Sequence, residues 1–229
     1  MSHERAGQDL SADRRLGRAL RGAPVVTVLI AALATGAAAI PVAAAAASPA
    51  ARQAPSVVLC SGYSACARLG DPNYGYATRS GTSYWRMTAG NECTNYVAYV
   101  ESTVFRAPAP DYLLGNAGQW AVSAAAHGIT VNHTPAVGAV AEWDGGSYGM
   151  GPEGHVAVVE AVGPRDSYII ISQQHIGSDV NGFDWTRINA GFPADSWQPW
   201  PSHFIHFAGA GPAPASYSGA PTGWLRRFS

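Results

Sequence analysis

Apolar and polar positions follow helical spacing early in the middle of the chain and strand spacing later. A helix is predicted from about residue 93, with an apolar face made of Cys93, Tyr96, Val97, Val100 and Val104. Asn91 is its expected N-cap, and Glu92 follows in the first turn. A second helix is predicted over residues 117–127, between the capping residue Asn116 and Gly128.

Beyond residue 128 the pattern changes to short strands separated by Gly, Pro, Asn and Asp. The predicted strands are residues 138–143, 155–162, 168–172, 183–188 and 203–207. Helices followed by strands indicate an α+β fold. We expect N-terminal helices packed on a mostly antiparallel sheet of about five strands.

The two ends of the chain differ from its middle. Residues 1–47 combine an arginine-rich start with an uncharged, alanine-rich run, which predicts a secretory signal peptide. A membrane anchor is the alternative, because the apolar run exceeds about 18 residues. We expect a linker over residues 48–56, one domain over 57–207 and a Gly/Pro/Ala-rich tail over 208–229.

Composition limits the functions that remain. Only 13% of residues are charged, lysine is absent and the net charge is −1, which excludes a basic nucleic-acid-binding protein. No tight ligand spacing supports a zinc site, so neither a metal nor a cofactor is expected. Without its leader the protein has no further stretch that could span a bilayer, and we expect a secreted or envelope-located monomer.

Three cysteines are present. An exported protein meets an oxidising environment, so Cys60 and Cys66, six residues apart in a flexible segment, are predicted to form a disulfide. Cys93 then remains unpaired, either as a buried apolar residue or as a reactive thiol. Its place in the first turn of a helix favours a reactive thiol, because free N–H groups and the helix dipole stabilise a thiolate there.

A histidine and two polar residues are expected near one another on the sheet. If Val162 pairs with Tyr168 across the short connection, His155, Gln173 and His175 share a face, whereas Gln174 points away. Glu160 lies at the opposite parity and is expected to be structural. A thiol, an imidazole and an orienting amide are the parts of a cysteine hydrolase, although an isolated strand histidine is more often a surface residue.

Several segments resemble a known family in order along the chain. They are residues 83–87 (SYWRM), 91–99 (NECTNYVAY), 154–160 (GHVAVVE), 169–172 (IIIS) and 204–207 (FIHF). Together they are similar to the CHAP domain, the cysteine- and histidine-dependent amidohydrolase/peptidase family of bacterial cell-wall enzymes. The resemblance implies a papain-like fold, cleavage of amide bonds in peptidoglycan, Cys93 as the nucleophile and His155 as the base.

The sequence departs from the family at the residue that orients the base. Where the family usually has an acid and, two residues later, an asparagine, this chain has Gln173 and His175. An amide oxygen can accept the imidazole N–H, and His175 either assists or competes for the proton. We therefore expect Gln173→Glu to raise activity. The alternative is a weak or inactive CHAP-like module that binds the cell wall or a protein partner.

Overall fold

The computed structural model describes residues 54–147, 149–176 and 179–207. The predicted leader over residues 1–47 and the predicted tail over 208–229 lie outside the described residues. Most of the predicted linker does so too, and the first strand begins at its last residue, Ser56. In the described part, no helix combines the length and hydrophobicity needed to cross a membrane.

One antiparallel sheet organises the described part of the chain. Its seven strands are β1 (Ser56–Ser61), β2 (Val131–Asn132), β3 (Val140–Trp143), β4 (His155–Val162), β5 (Tyr168–Ile176), β6 (Asp179–Asn189) and β7 (His203–Ile205). Their spatial order is β1-β6-β5-β4-β3-β7-β2, and each neighbouring pair is antiparallel.

This arrangement confirms the expected α+β class and corrects the expected strand number. The two additional strands, β1 and β2, form the edges of the sheet. β1 exposes Val57 and Val58, and β2 has only two residues. Neither therefore has the alternation of buried and exposed positions by which a strand is predicted.

Three α-helices accompany the sheet in the described residues: α1 (Tyr63–Leu69), α2 (Cys93–Thr103) and α3 (Trp120–Ala126). α2 packs on β4 and β5, and Tyr96, Val97 and Val100 on its apolar face are fully buried. The helix predicted over residues 117–127 is divided into a 3₁₀ turn, Ala117–Gln119, followed by α3. Asn116 precedes that turn as predicted, and its backbone N–H donates to Oε1 of Gln119 at 2.8 Å.

Both faces of the sheet are covered. The face under α2 contributes Val140, Val156, Val158, Ile170, Phe183 and Ile205 to one apolar cluster. The opposite face contributes Ala141, Ala157, Val159, Ile171, Ile188 and Phe204 to a second cluster. Alternate residues of a strand point to opposite faces, so burial on both sides makes the central strands apolar at nearly every position.

The predicted disulfide is present. Cys60 in β1 and Cys66 in α1 are bonded, with their Cα atoms 5.2 Å apart. Cys93 is the free cysteine. The bond therefore fastens α1 to the edge of the sheet.

Candidate active site

Cys93 is the first residue of α2. The helix begins at the predicted residue, but its N-cap is Glu92, in an extended conformation, rather than Asn91. Cys93 is partly buried and packs against the apolar cluster beneath α2. The thiol is therefore placed where backbone N–H groups at the start of a helix lack helical partners.

His155 is the first residue of β4, and the glycine before it decides its position. Gly154 has a φ of +74°, and a Cβ there would lie 2.5 Å from the carbonyl oxygen of Trp143 and 2.6 Å from backbone atoms of Gly118. Only glycine lets the chain pass so close to β3 and the 3₁₀ turn. His155 is consequently 2% exposed, and its ring centroid lies 5.6 Å from that of Trp143.

Gln173 holds the imidazole of His155, as the strand pairing predicted. Nε2 of His155 lies 2.9 Å from Oε1 of Gln173. Because an amide oxygen can only accept, Nε2 is the nitrogen that carries the proton in this contact. The second ring nitrogen, Nδ1, is then free to accept a proton.

A bulge restores the register that this contact needs. Val162 pairs with Ile169 rather than with Tyr168, so the assumed pairing is wrong by one residue at that end. The ladder is irregular between Val159 and Ala161, and beyond it Val158 pairs with Ser172, as the assumed register requires. The extra residue at the bulge is Glu160, and it brings the site end of the hairpin back into the predicted alignment.

His175 reaches the cleft but contacts a different residue from the one expected. Its backbone has a φ of +53°, at an irregularity in the pairing of β5 with β6. Nδ1 of His175 lies 3.0 Å from Oε2 of Glu92. His175 therefore joins β5 to the N-terminus of α2, and the contact that orients His155 comes from Gln173.

Two cavities share Cys93 in their lining. One has a volume of about 380 Å³ and is lined by Glu92, Cys93, Met150, Glu153, His155 and His175, among others. The other has a volume of about 450 Å³, and its lining includes Arg86, Leu113, Asn116 and again Glu92, Cys93 and Glu153. A chain-like substrate laid through both cavities would pass over Cys93.

The resting thiol is protonated, contrary to the expectation of a stabilised thiolate. Burial, reinforced by the charge of Glu92, raises the pKa of Cys93 to about 11. Backbone hydrogen bonds from Val156, Thr94 and Cys93 itself act in the opposite direction and do not compensate. Desolvation at this helix terminus therefore outweighs the dipole on which the sequence argument relied.

The imidazole is neutral for the same reason. Burial lowers the pKa of His155 to about 4. The hydrogen bond that His155 donates to Gln173 raises that pKa, and the nearby His175 lowers it further. Near pH 7 the two groups are thus a thiol and a neutral base rather than an ion pair.

Glu160 is a structural residue on the other side of the sheet, as its parity predicted. Its two carboxyl oxygens accept hydrogen bonds from Tyr74 Oη and Ser172 Oγ, each at 2.6 Å. Tyr96 Oη in turn donates to Ser172 Oγ at 2.7 Å. Gln174 also points away from His155, and Tyr63 Oη donates to its Oε1 at 2.8 Å.

Sequence reasoning missed two buried residues behind Gln173. Asp184 accepts a hydrogen bond from Nε2 of Gln173 at 2.9 Å, and Gln198 donates to Oε1 of Gln173 at 2.7 Å. Extending the pairing of Ile176 with Asp179 without a bulge would place Gly182 opposite Gln173, whereas the observed partner is Asp184. Gln198 belongs to a loop and had no periodic signal.

The described residues contain no group of three or more His, Cys, Asp or Glu side chains arranged to hold a metal ion.

Relatives with curated names match short parts of the chain. A Streptococcus mutans protein with only a general hydrolase name is 55% identical over 49 residues, 21% of this chain and 21% of the relative. The secretory antigen SsaA of Staphylococcus aureus is 44% identical over 63 residues, 28% of this chain and 22% of the relative. The matched segments thus span about a fifth of the length of these relatives.

A solved structure and a family model extend the comparison. The N-acetylmuramoyl-L-alanine amidase from Staphylococcus aureus matches at 26% identity with a TM-score of 0.41, over 54% of this chain and 33% of the amidase chain. The model of the CHAP domain matches residues 82–175, a range that includes Cys93, His155 and Gln173. Residues 82–175 of this chain therefore match the CHAP domain family.

Proposed function

We propose that this protein is an exported cysteine amidase or endopeptidase that hydrolyses amide bonds of peptidoglycan. The observation that carries the proposal is that Cys93 and His155 line one cavity while Gln173 holds Nε2 of His155 at 2.9 Å. A nucleophile, a base and a group that orients the base are the minimum set for acyl transfer through a thioester.

The first step begins from neutral groups. Nδ1 of His155 takes the thiol proton as Sγ of Cys93 attacks the amide carbonyl, so that an S–C bond forms and an imidazolium results. The carbonyl oxygen becomes an oxyanion close to the start of α2. Backbone N–H groups of Cys93, Thr94 and Val156, which point toward the sulfur, are the candidate donors to it.

The second step releases the amine. The imidazolium of His155 gives its proton to the leaving nitrogen, and the C–N bond breaks to leave a thioester on Cys93. Water, deprotonated by His155, then attacks the thioester carbonyl. The C–S bond breaks, the carboxylic acid leaves, and the imidazolium of His155 returns its proton to the sulfur of Cys93. Oε1 of Gln173 accepts from the imidazolium throughout, but it carries no full charge and stabilises this cation less than a carboxylate would.

The shape and charge of the cleft suit a peptide-bearing polymer. Cavities of about 380 and 450 Å³ are both lined by Cys93, which leaves room for substrate next to the thiol. Glu92 and Glu153 line both cavities, and Arg86 lines the larger one. Peptide stems of peptidoglycan carry both amino and carboxyl groups, and such groups have partners of opposite charge here.

Export is supported by the leader-like residues 1–47 and by a disulfide between Cys60 and Cys66, a bond that persists in oxidising compartments. The relative from Staphylococcus aureus is named as a secretory antigen. These observations support the proposal that the protein and its substrate lie on the same side of the membrane.

Digestion of purified cell wall tests the proposal. Wild type should release new amino groups, and Cys93→Ala and His155→Ala should each abolish that release. His206→Ala is the matched control, because His206 is also buried but bonds Asn132 at the far end of the sheet. Mass spectrometry of the fragments identifies the bond that is cut.

The alternative is a CHAP module that binds the wall without cutting it. The neutral Cys93 and the missing carboxylate beside His155 are the observations that favour it. Wild type would then sediment with cell wall as well as Cys93→Ala does, and neither protein would release amino groups. That result would remove the hydrolase proposal while leaving the fold assignment intact.

A further inference from the structure

We infer that Asp184 is a positioning residue that fixes the direction of the Gln173 amide and, through it, the tautomer of His155. The inference rests on the proposed hydrolase function, in which Nδ1 of His155 must be unprotonated to take the thiol proton. It rests on five buried side chains whose hydrogen bonds agree on one arrangement.

Asp184 presents an acceptor to Gln173. Asp184 lies directly opposite Gln173 in the pairing of β5 with β6, and it is 6% exposed. Its Oδ1 receives hydrogen bonds from Nε2 of Gln173 at 2.9 Å and from Oγ1 of Thr186 at 2.7 Å. An oxygen that receives two donors is an acceptor, so the amide must turn its NH₂ toward Asp184.

The other end of the same amide meets two donors. Oε1 of Gln173 lies 2.9 Å from Nε2 of His155 and accepts from Nε2 of Gln198 at 2.7 Å. Gln198 is 2% exposed and has a φ of +45°, a conformation that side-chain-bearing residues rarely adopt. Its position is therefore specified by the surrounding structure.

Reversing the Gln173 amide would break all of these contacts at once. Its carbonyl oxygen would face the acceptor on Asp184, whatever the other partners do. Its NH₂ would meet acceptors only if the Gln198 amide also reversed and the proton of His155 moved to Nδ1. Buried polar groups left without partners are costly, so only one orientation is stable. That orientation requires the proton of neutral His155 to be on Nε2, which leaves Nδ1 as the base for the thiol.

The position of the proton is measurable without any substrate. Two-bond ¹H–¹⁵N spectra show which ring nitrogen carries the proton in a neutral histidine, and a His155→Gln sample assigns the signals among the seven histidines. At pH 7 wild type should show His155 entirely as the Nε2–H form. An Nδ1–H form in wild type would overturn the inference.

Variants then connect the tautomer to Asp184. Asp184→Leu, which removes the acceptor at similar volume, should give mixed tautomers and lower kcat on the order of 10²-fold with little change in KM. Asp184→Asn keeps a carbonyl oxygen for Gln173 and should restore most of the Nε2–H tautomer and most of kcat. Asp71→Leu is the matched control, since Asp71 is a buried acid outside the cleft. If Asp184→Leu does not fold, Asp184→Ala takes its place.

The results separate this inference from the proposed function. A tautomer that shifts in Asp184→Leu, in a protein that cuts no cell wall, would support the inference and reject the hydrolase. An active enzyme whose tautomer and kcat are the same in Asp184→Leu as in the Asp71→Leu control would reject the inference and keep the hydrolase.

Discussion

Oε2 of Glu92 lies 3.0 Å from Nδ1 of His175, which ties the residue before α2 to β5 beside the thiol. This carboxylate adjoins Cys93 in the chain and is one of the causes that raise the pKa of the thiol. The acid that precedes the nucleophile in the chain therefore opposes ionisation of the thiol. Removal of the thiol proton therefore depends more heavily on His155, the base in the cleft.

Glu92→Gln should make Cys93 more reactive, because a negative charge that disfavours the thiolate is removed. We expect alkylation by iodoacetamide at pH 8 to accelerate by roughly two- to fivefold, the range of an interaction of at most about 1 kcal/mol near the surface. Glu153→Gln is the control, since Glu153 lines both cavities but is not among the causes of the Cys93 shift. Equal rates in Glu92→Gln and wild type would contradict the electrostatic account.

The pH profile of hydrolysis should have its acid limb near pH 4. His155 acts as a base only when neutral, and burial lowers its pKa to about 4, whereas an ordinary histidine titrates near 6.5. Activity should thus change little from pH 6 to pH 8, where the thiol is also protonated. The measurement is kcat/KM from pH 3.5 to 9, with circular dichroism to confirm folding at each pH. An acid limb at 6.5 would show that His155 is not desolvated.

Glu160 should make the fold less stable as pH rises. Burial raises its pKa to about 8, so the native state binds a proton that the unfolded state releases near 4.5. The stability from this group is complete below pH 4.5 and is lost as pH rises through 8. Urea unfolding at pH 5 and pH 8 should show a decrease in stability that is larger in wild type than in Glu160→Gln by on the order of 3 kcal/mol. Glu142, whose pKa is also raised to about 8, supplies the remainder.

Removing the disulfide should cost about 2 kcal/mol, the entropy of closing a loop of six residues. The variant is Cys60→Ser/Cys66→Ser, with Cys93 kept, and urea unfolding measures the loss. Thiol titration of unfolded, unreduced wild type should find one free thiol. Because the bond joins β1 to α1, away from the cleft, Cys93 should alkylate at the same rate in both proteins.

The sequence predicted the parts of the site that follow from periodicity. Cys93 at the start of α2 and His155 at the start of β4 follow from the spacing of apolar residues and the glycine-rich turn before each element. The closeness of the His155 and Gln173 side chains follows from the alternation of side chains between the two faces of the paired strands β4 and β5. It was predicted through an assumed pairing that is off by one residue at the far end, and the bulge at Glu160 cancels that difference.

The remainder depends on tertiary structure that a single sequence does not encode locally. Asp184 comes opposite Gln173 only because the β5–β6 ladder is irregular beside His175. The protonated state of Cys93 reflects how deeply the helix end is buried, which competes with the dipole and exceeds it. Edge strands β1 and β2 are formed by pairing rather than by an apolar pattern of their own.

The contact between Gln173 and Asp184 changes the expectation for a restored family carboxylate. Sequence reasoning alone predicts that Gln173→Glu raises activity. Nε2 of Gln173 lies 2.9 Å from Oδ1 of Asp184, so a glutamate in its place would put two carboxyl groups in contact in a buried site. Like charges at that distance cannot both ionise, and the new acid would stay protonated or the site would distort.

The double variant Gln173→Glu/Asp184→Asn should therefore succeed where Gln173→Glu alone fails. An asparagine at position 184 can donate to the new carboxylate, whose other oxygen accepts from Nε2 of His155. The ionised partner should raise the pKa of His155 from about 4, stabilise the imidazolium and increase kcat on cell wall by about tenfold or more. The acid limb of the pH profile should move upward with it, which a change in stability alone would not produce. If Gln173→Glu by itself reaches the activity of the double variant, Asp184 is not coupled to residue 173 and the hydrogen bond between them has no bearing on the base.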